Sequence, residues 1–298
     1  MHCLHYFKLI KDSLLLALKK QPMIKTVFVT VLFFASATIS NAQYYYKDIL
    51  SNKQLISEMA QLKEQKVRTV SLKSFEDDGS PSEGFFCERK INRNYSTVET
   101  QTKSNVTGAS LFTSNFNDKG YLTQTIDSSD IASLTSFYTY DNNNNITSIL
   151  SIARSSDDDF KNEIKEEHIY EYTSKGLPVK MTRVKNLTDS AVIVFSPDEN
   201  NNVSIEKNTK TGDTYYYYYD TKNRITDVVR LNKYNQKMLP DYIFEYNNAG
   251  LITQMTATEE GGSYYYIWKY TYSNGLRSAE KCYSKEKRLM GTIEYEYK

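Results

Sequence analysis

Residues 242–255 read Tyr-Ile-Phe-Glu-Tyr-Asn-Asn-Ala-Gly-Leu-Ile-Thr-Gln-Met, and their pattern is the one that repeats along the chain. Tyr242, Phe244 and Tyr246 occupy every second position, so the three rings share one face of a predicted strand. The Asn-Asn-Ala-Gly that follows suits a turn that needs a positive φ angle near its end. A second apolar strand comes after the turn. The stretch therefore predicts an antiparallel β-hairpin.

The same pattern recurs along the chain with a period of about 25 residues, which suits a unit of two strands and their connections. The last aromatic residues before the turns are Phe116, Tyr140, Tyr172, Phe195, Tyr219, Tyr246, Tyr272 and Tyr297. Gly or Asn closes most of the turns, because these residues enter the left-handed backbone region most readily. The repeats predict one all-β array of about 14 to 16 antiparallel strands.

This pattern resembles the tyrosine-aspartate (YD or RHS) repeat family, whose copies read approximately Tyr-x-Tyr-Asp-x-x-Gly-Arg-Leu. Residues 138–141 (Tyr-Thr-Tyr-Asp) and 218–225 (Tyr-Tyr-Asp-Thr-Lys-Asn-Arg-Ile) match it best. The resemblance covers residues 111–298 and implies β-hairpin repeats that form a long curled sheet or solenoid. It implies a fold and an exported location, not an activity. The chain is also similar to short uncharacterised secreted repeat proteins of Bacteroidetes.

The amino-terminal residues indicate export. Residues 24–42 combine a basic residue, an apolar run and the small-residue end Ser40-Asn41-Ala42, as in a cleaved secretory signal peptide. An uncleaved anchor is the alternative, but the apolar run is short for a retained span of about 20 residues. We therefore interpret residues 1–42 as an amino-terminal extension and signal peptide. We expect no integral membrane span after cleavage and a secreted, periplasmic or cell-surface location.

Residues 43–110 are predicted to cap the array. A helix is expected over residues 47–68, because Ser51 and Gln54 form a capping box ahead of apolar residues at helical spacing. The strands that follow look irregular. We expect the helix to pack on the first end of the solenoid, with the hairpin repeats filling residues 111–298.

Composition argues against nucleic acid as a partner. Removal of residues 1–42 takes away five of the 37 Lys and Arg residues and one of the 36 Asp and Glu residues, which leaves a net charge of −3. A chain so close to neutral, without a basic stripe, lacks the electrostatic footprint of a nucleic-acid-binding protein. Cys87 and Cys282 remain, and the sequence leaves open whether they pair.

Two strands carry aromatic residues at a strict period of two. These residues are Tyr215, Tyr217, Tyr219, Tyr264, Tyr266, Trp268, Tyr270 and Tyr272. Such rings either hold neighbouring strands together or form a surface that binds a glycan or an envelope protein. The sequence leaves both readings open, and the eight rings are our hypothesis for the binding residues. Exposure along a groove would favour binding, whereas burial would favour a structural role.

The sequence offers little for catalysis. His168 is the only histidine after residue 42, and we expect it at a solvated strand position. No Ser/His/Asp or Cys/His set can be assembled around it, so we predict no catalytic residue and no cofactor. Asp141-x-Asn143-x-Asn145 imitates the start of a calcium loop but lacks the later Gly and Glu, so turn chemistry is expected and no metal site is predicted.

The sequence therefore favours an exported non-enzymatic β-repeat protein that acts as a binding or structural scaffold at the cell envelope. The alternative is a secreted glycan-processing hydrolase or a glycan-binding protein that uses the aromatic face. Acidic residues are plentiful, and a glycosidase pair of carboxylates could be formed by residues that are distant in sequence.

Overall fold

The computed structural model describes residues 44–105, 107–156, 163–232, 236–259 and 264–298. The predicted signal peptide and extension, residues 1–42, lie outside the described residues. Within the described ranges one helix, α1 (Tyr46–Glu64), precedes 18 β-strands. The strands are β1 (Thr69–Phe75), β2 (Phe86–Ile91), β3 (Thr97–Ser104), β4 (Gly108–Phe116), β5 (Leu122–Ser129), β6 (Ala132–Tyr140), β7 (Ile146–Ser155), β8 (Ile164–Tyr172), β9 (Pro178–Lys185), β10 (Asp189–Pro197), β11 (Val203–Asn208), β12 (Thr214–Tyr219), β13 (Ile225–Leu231), β14 (Met238–Tyr246), β15 (Ile252–Thr258), β16 (Tyr265–Ser273), β17 (Leu276–Tyr283) and β18 (Leu289–Tyr297).

The sheet closes on itself. Each strand pairs in antiparallel orientation with the next strand along the chain, and β18 pairs with β1. Along this seam Val70 faces Tyr297 and Leu72 faces Tyr295. The fold is therefore a barrel of 18 strands, and closure of this kind leaves no edge strand.

The predicted all-β class is confirmed, but the prediction of an open curled sheet or solenoid is wrong. The 18 strands also exceed the number expected from the repeats. The signals that identify a hairpin are local, because they lie in the turn and in the two strands beside it. Pairing between the first and last strands has no such local signal, so the sequence did not indicate closure.

Alternate residues of the strands point into the barrel. In β16, Trp268 and Tyr270 are buried, whereas Lys269 between them is exposed. Glu99 in the middle of β3 and Glu294 in the middle of β18 are exposed in the same way. The outer wall therefore carries charged side chains at mid-strand positions, and the inner wall carries many of the aromatic rings.

Helix α1 lies inside the barrel. Its Glu58 forms an ion pair with Arg89 on β2, whereas the backbone amides of Tyr45 and Tyr46 donate hydrogen bonds to Glu206 on β11. Strands β2 and β11 are nine positions apart in the ring of 18, so these two contacts fall on opposite walls. The predicted position of a helix that caps the end of a solenoid is therefore wrong, because α1 spans the lumen.

The length of α1 matches this position. Its 19 residues give a helix of about 28 Å. A circular ring of 18 strands, spaced about 4.8 Å apart and tilted by about 40°, is about 35 Å across. The helix and its side chains thus reach from wall to wall. No helix among the described residues is long and apolar enough to cross a membrane.

One turn geometry recurs at the end of the barrel that α1 crosses. At Asp141, the Oδ1 atom accepts hydrogen bonds from the backbone amides of Asn143 and Asn145, both at 2.8 Å. Asn144 has a φ angle of 64°, and the equivalent turn at Asp220 repeats the carboxylate contacts. The predicted turn chemistry is confirmed, and it accounts for the spacing that imitates a calcium loop.

The tyrosine before such a turn ties its strand to the preceding one. The hydroxyl of Tyr246 donates to the carbonyl oxygen of Ile225, the first residue of β13, at 2.7 Å. Equivalent bonds of 2.7 or 2.8 Å join Tyr140 to Leu122, Tyr172 to Ile146, Tyr219 to Val203, Tyr272 to Ile252 and Tyr297 to Arg277. We call these six contacts the tyrosine clasps. The copy at Phe195 has no clasp, because Pro197 precedes its turn and proline has no hydroxyl to donate.

Replacement of Tyr246 with phenylalanine is expected to lower the free energy of unfolding by about 1 kcal/mol, because the Ile225 carbonyl loses its hydroxyl donor. The aromatic ring, over which Arg224 lies at 4.5 Å, is retained. Urea unfolding measures the difference. Tyr218→Phe is the matched control, since Tyr218 points outward and is 49% exposed, and it should change stability by less than about 0.5 kcal/mol. Equal losses in both variants would contradict a stabilising role for the clasp.

Candidate functional site

The barrel wall caps the amino terminus of α1. Glu206 on β11 accepts the backbone N–H of Tyr45 at 2.7 Å and that of Tyr46 at 2.8 Å, and the Tyr217 hydroxyl donates to it at 2.7 Å. The first amides of a helix have no partner within the helix and carry partial positive charge, so a carboxylate satisfies both needs. The predicted capping box is wrong, because Ser51 lies inside the helix and no side chain at its own start caps it.

Glu206 is only 2% exposed. Burial raises the pKa of its carboxyl to about 7, although the three hydrogen-bond donors oppose that rise. The group therefore titrates near neutral pH instead of in the usual acidic range.

The second contact joins Asp48 of α1 to His168 on β8. The Nδ1 atom of His168 lies 2.7 Å from Asp48 Oδ2, and its Nε2 atom lies 2.9 Å from Glu166 Oε1. Tyr170 donates a further hydrogen bond to Asp48 at 2.9 Å. His168 is 9% exposed, so the prediction of a solvated strand position is wrong.

This environment decides the protonation state of His168. Burial alone would lower its pKa, but the hydrogen bonds and charges of Asp48 and Glu166 raise it to about 9. Both ring nitrogens already bond to carboxylates. A general base needs a free nitrogen within reach of the proton that it removes, so this imidazolium is built to hold the helix and not to transfer protons.

The carboxy-terminal half of α1 is held on the opposite side of the ring. Besides the ion pair between Glu58 and Arg89, Gln61 donates to the carbonyl oxygen of Gly275 at 2.9 Å. Gln65 donates to the carbonyl oxygen of Asn274 at 3.0 Å. Both carbonyls belong to the turn between β16 and β17. We call all these wall contacts of α1 the helix seat.

The eight rings of the binding hypothesis lie on the inner wall. Tyr215, Tyr217, Tyr266, Trp268 and Tyr270 are buried, and Tyr219, Tyr264 and Tyr272 are partly buried. They divide between two separate apolar clusters, so they do not form one exposed surface. Burial matches the alternative in which the rings hold the structure together.

The rings on β12 belong to the helix seat. Tyr44 lies beside Tyr215 and Tyr217, with ring centroids 5.7 and 6.1 Å apart, and Tyr46 lies 5.2 Å from Tyr217. The rings on β16 pack instead with Met255 on β15 and with residues of β17 and β18. The sequence did not predict the polar residues of the helix seat. Glu206, Arg89 and His168 each have one exposed and one partly buried neighbour on their strands, so the alternation marks them only weakly.

Metal and disulfide chemistry find no support in the part of the chain that the structure describes. Among those residues no group of three or more His, Cys, Asp and Glu side chains is arranged to hold a metal ion. Cys87 and Cys282 are both buried, and no disulfide bond joins them.

Comparison with known proteins does not assign a family. No family model matches the chain, and no curated protein matches it. Among solved structures, a porin-like protein from Bacteroides uniformis is 12% identical with a TM-score of 0.36, covering 78% of this chain and 98% of that chain. A porin-like protein from Bacteroides vulgatus is 11% identical with a TM-score of 0.30, over 78% of this chain and 98% of that chain.

The Tc holotoxin pore of Photorhabdus luminescens is 11% identical with a TM-score of 0.31, over 72% of this chain and 12% of that chain. TM-scores of this size carry no conclusion about this chain. The barrel assignment rests on the strand pairings.

The helix seat should make stability depend on pH. His168 has a pKa of about 9 in the folded protein and about 6.5 when unfolded. Its stabilising effect is therefore complete below about pH 6.5 and is lost as the pH rises through about 9. Glu206, whose pKa is raised to about 7, acts in the same direction at lower pH, between about 4.5 and 7. We expect the free energy of unfolding to fall between about pH 7 and pH 9, measured by urea unfolding in matched buffers.

His168→Gln is the control for this pH dependence. The variant should be less stable than the native protein at about pH 6, because Asp48 and Glu166 lose their cation. Its stability should also change less between about pH 7 and pH 9, where only the native protein has this imidazolium to lose. If both proteins show the same slope over that range, His168 does not carry the effect.

Proposed function

We propose that this chain is an exported, non-enzymatic barrel protein that acts as a binding or structural scaffold at the cell envelope. The observation that carries the proposal is the helix that spans the lumen. An internal strut fixed to opposite walls makes a rigid body whose outer wall and rims are free for contacts. The described residues near the seat are committed to hydrogen bonds and ion pairs that hold α1.

The export part of the proposal rests on the sequence of residues 24–42. The charged side chains on the outer wall support a barrel that is surrounded by water and not by lipid. A barrel embedded in lipid needs an outward apolar band about 25 Å tall, whereas Glu99, Lys269 and Glu294 are exposed at the middle of their strands. Ion pairs such as Lys180 with Glu171 at 2.5 Å also lie on this wall.

The proposed partner is an envelope protein or a glycan. The buried rings no longer favour glycan stacking on the inner wall. Tyr218, which is 49% exposed, is one ring on the outer wall that remains open to such a contact. The structure gives no specific support to the alternative of a glycan-processing hydrolase.

A relationship with tyrosine-aspartate repeats also remains a proposal, and one repeat gives it physical support. The carboxylate of Asp220 forms an ion pair with Arg224 at 2.5 Å. The guanidinium of Arg224 lies 4.5 Å from the centre of the Tyr246 ring in the next repeat. Arg224 also donates to the carbonyl oxygen of Asn247 at 3.2 Å. The Tyr, Asp and Arg of the motif thus cooperate to link neighbouring turns.

Expression of the full chain with a carboxy-terminal tag in an exporting bacterium tests the proposal. We expect mature protein that begins near Gln43, lies outside the cytoplasm and is released without detergent, as fractionation and amino-terminal sequencing would show. The matched control starts with Met followed by residue 43, lacks the signal, and should stay in the cytoplasm. Recovery of the full chain from the cytoplasm, or only in detergent-extracted membranes, would overturn the proposed location.

A further inference from the structure

The outer wall of the barrel has an apolar face on strands β11 to β14. Cross-strand registers join four apolar residues in one uninterrupted row across these strands, namely Ile205, Tyr216, Val229 and Pro240. We call these four residues the outer row. At other mid-strand positions of the outer wall, charged side chains such as Glu294 are exposed. The outer row is therefore a local departure from a charged surface.

The direction of the outer row follows from its neighbours. Tyr216 lies between Tyr215 and Tyr217, which are both buried on the inner wall. Ile205 precedes Glu206, which holds the amino terminus of α1 inside the lumen. Because successive residues of a strand point to opposite faces of the sheet, Tyr216 and Ile205 point outward. The other two members continue the row in register and point the same way.

Further apolar side chains border the outer row. Tyr218, two residues after Tyr216 on β12, is 49% exposed, and Met238, two residues before Pro240 on β14, is 42% exposed. Val229 is only 8% exposed although it points outward. With this border the face spans four strands and three steps of two residues, which is about 20 Å by 20 Å, or about 400 Å². Apolar patches of about this size often mark interaction sites.

Two opposite charges lie on opposite sides of Tyr216 within this face. Lys207 on β11 is opposite Thr214, which is two residues before Tyr216 on β12. Asp227 on β13 is opposite Tyr218, which is two residues after Tyr216. Tyr216 is therefore midway between Lys207 and Asp227. The two charged residues are separated by two strand spacings and four residues, which is about 17 Å.

Neither charge has a partner in its own chain. Among the residues that the structure describes, no hydrogen bond or ion pair involves Lys207 or Asp227. Their separation is also too long for the two side chains to meet each other. The face thus carries a cation and an anion at equal distances on either side of its centre. A two-fold axis through that centre would bring each charge of one copy to the opposite charge of another.

We propose that this face joins two copies of the chain about a two-fold axis at Tyr216. The axis lies between the two faces, perpendicular to the line from Lys207 to Asp227. Lys207 of each copy pairs with Asp227 of the other, which gives two ion pairs. The same rotation places Ile205 of each copy close to Tyr218 of the other. The two outer rows form the apolar centre of the interface, with the ion pairs at its rim.

The charges favour a second copy over a lipid surface as the occupant of this face. Lipid would cover the apolar side chains but would leave Lys207 and Asp227 without partners, which costs free energy. A second copy satisfies both charges with the same face. A standard interface buries about 800 Å² on each partner, and this convex wall offers about half of that area. We therefore expect a weak dimer with a dissociation constant in the micromolar range.

Sedimentation equilibrium of the protein purified after expression of the full chain tests the proposal. The native protein should pass from monomer to dimer between about 1 and 200 µM. Lys207→Glu and Asp227→Lys should each weaken the dimer at least about tenfold, or about 1.4 kcal/mol, because each variant places like charges opposite each other twice. The double variant Lys207→Glu/Asp227→Lys restores opposite charges at both contacts, so it should restore the dimer.

Lys269→Glu is the matched control. Lys269 is exposed on the outer wall at the middle of β16, outside the proposed interface. The same reversal of charge at this position should leave the dimer unchanged. Circular dichroism checks that all four variants are folded, and recovery of the dimer in the double variant separates loss of the interface from loss of the fold.

Four results would overturn the proposal. These are a native protein that stays monomeric over the whole range, an assembly larger than a dimer, single variants that dimerise like the native protein, and a double variant that associates no better than the single variants. The proposal rests on the scaffold role suggested above, in which the outer wall is free for contacts. Association is measured on purified protein and does not depend on location, so its failure is distinguishable from failure of the export test.

Discussion

The structure depends on a helix fixed between opposite walls of a closed sheet. An 18-stranded ring is too wide for its own strands' side chains to fill, since a ring of about eight strands is the size that side chains fill completely. Helix α1 occupies the space at one end, and Tyr44, Tyr46, Ile49, Met59 and Leu62 are its anchors, none more than 9% exposed. The apolar contacts supply the burial, and the charged contacts fix the position of the helix.

The charged contacts are unusual because they lie in the interior. Glu206, Asp48 and Arg89 would each cost several kcal/mol if buried alone. Each has a partner instead: helix amides for Glu206, His168 for Asp48 and Glu58 for Arg89. A helix shifted by one residue would leave these groups unpaired. The seat therefore specifies one register of the helix in the lumen, whatever its net contribution to stability.

The repeats supply the complementary constraint on the sheet. Each tyrosine clasp adds about 1 kcal/mol, and the six clasps recur at one end of the barrel in every copy from Tyr140 to Tyr297 except the one at Phe195. The Asx turns beside them define where each strand ends. Together they keep the same register from hairpin to hairpin, which is the condition for the last strand to meet the first.

The sequence predicted what is encoded locally. The alternation around Tyr246 and the turn residues after Asp141 predicted the hairpins. Both signals are local, because the two faces of a strand and the left-handed residue of a turn are visible within a few positions of the sequence. The closure between β1 and β18 and the helix seat depend on residues far apart in the chain. Glu206 and His168 resemble ordinary strand residues until a helix meets them. The sequence correctly predicted which aromatic rings share one face of a strand. Periodicity does not show whether that face is the inner or the outer wall of a barrel.

Amide hydrogen exchange of β18 and α1, read residue by residue by NMR, distinguishes a closed barrel that holds α1 from an open array. In a closed barrel β18 has two alternate sets of bonded amides: one set bonds to β1 within Thr292–Tyr297, and the other bonds to β17 within Leu289–Glu294. We predict that both sets exchange slowly, as do the amides of Tyr46–Glu64 inside the lumen. Fast exchange of every second amide in β18, together with fast exchange along the helix, would show an open array with a detached helix and would contradict the account.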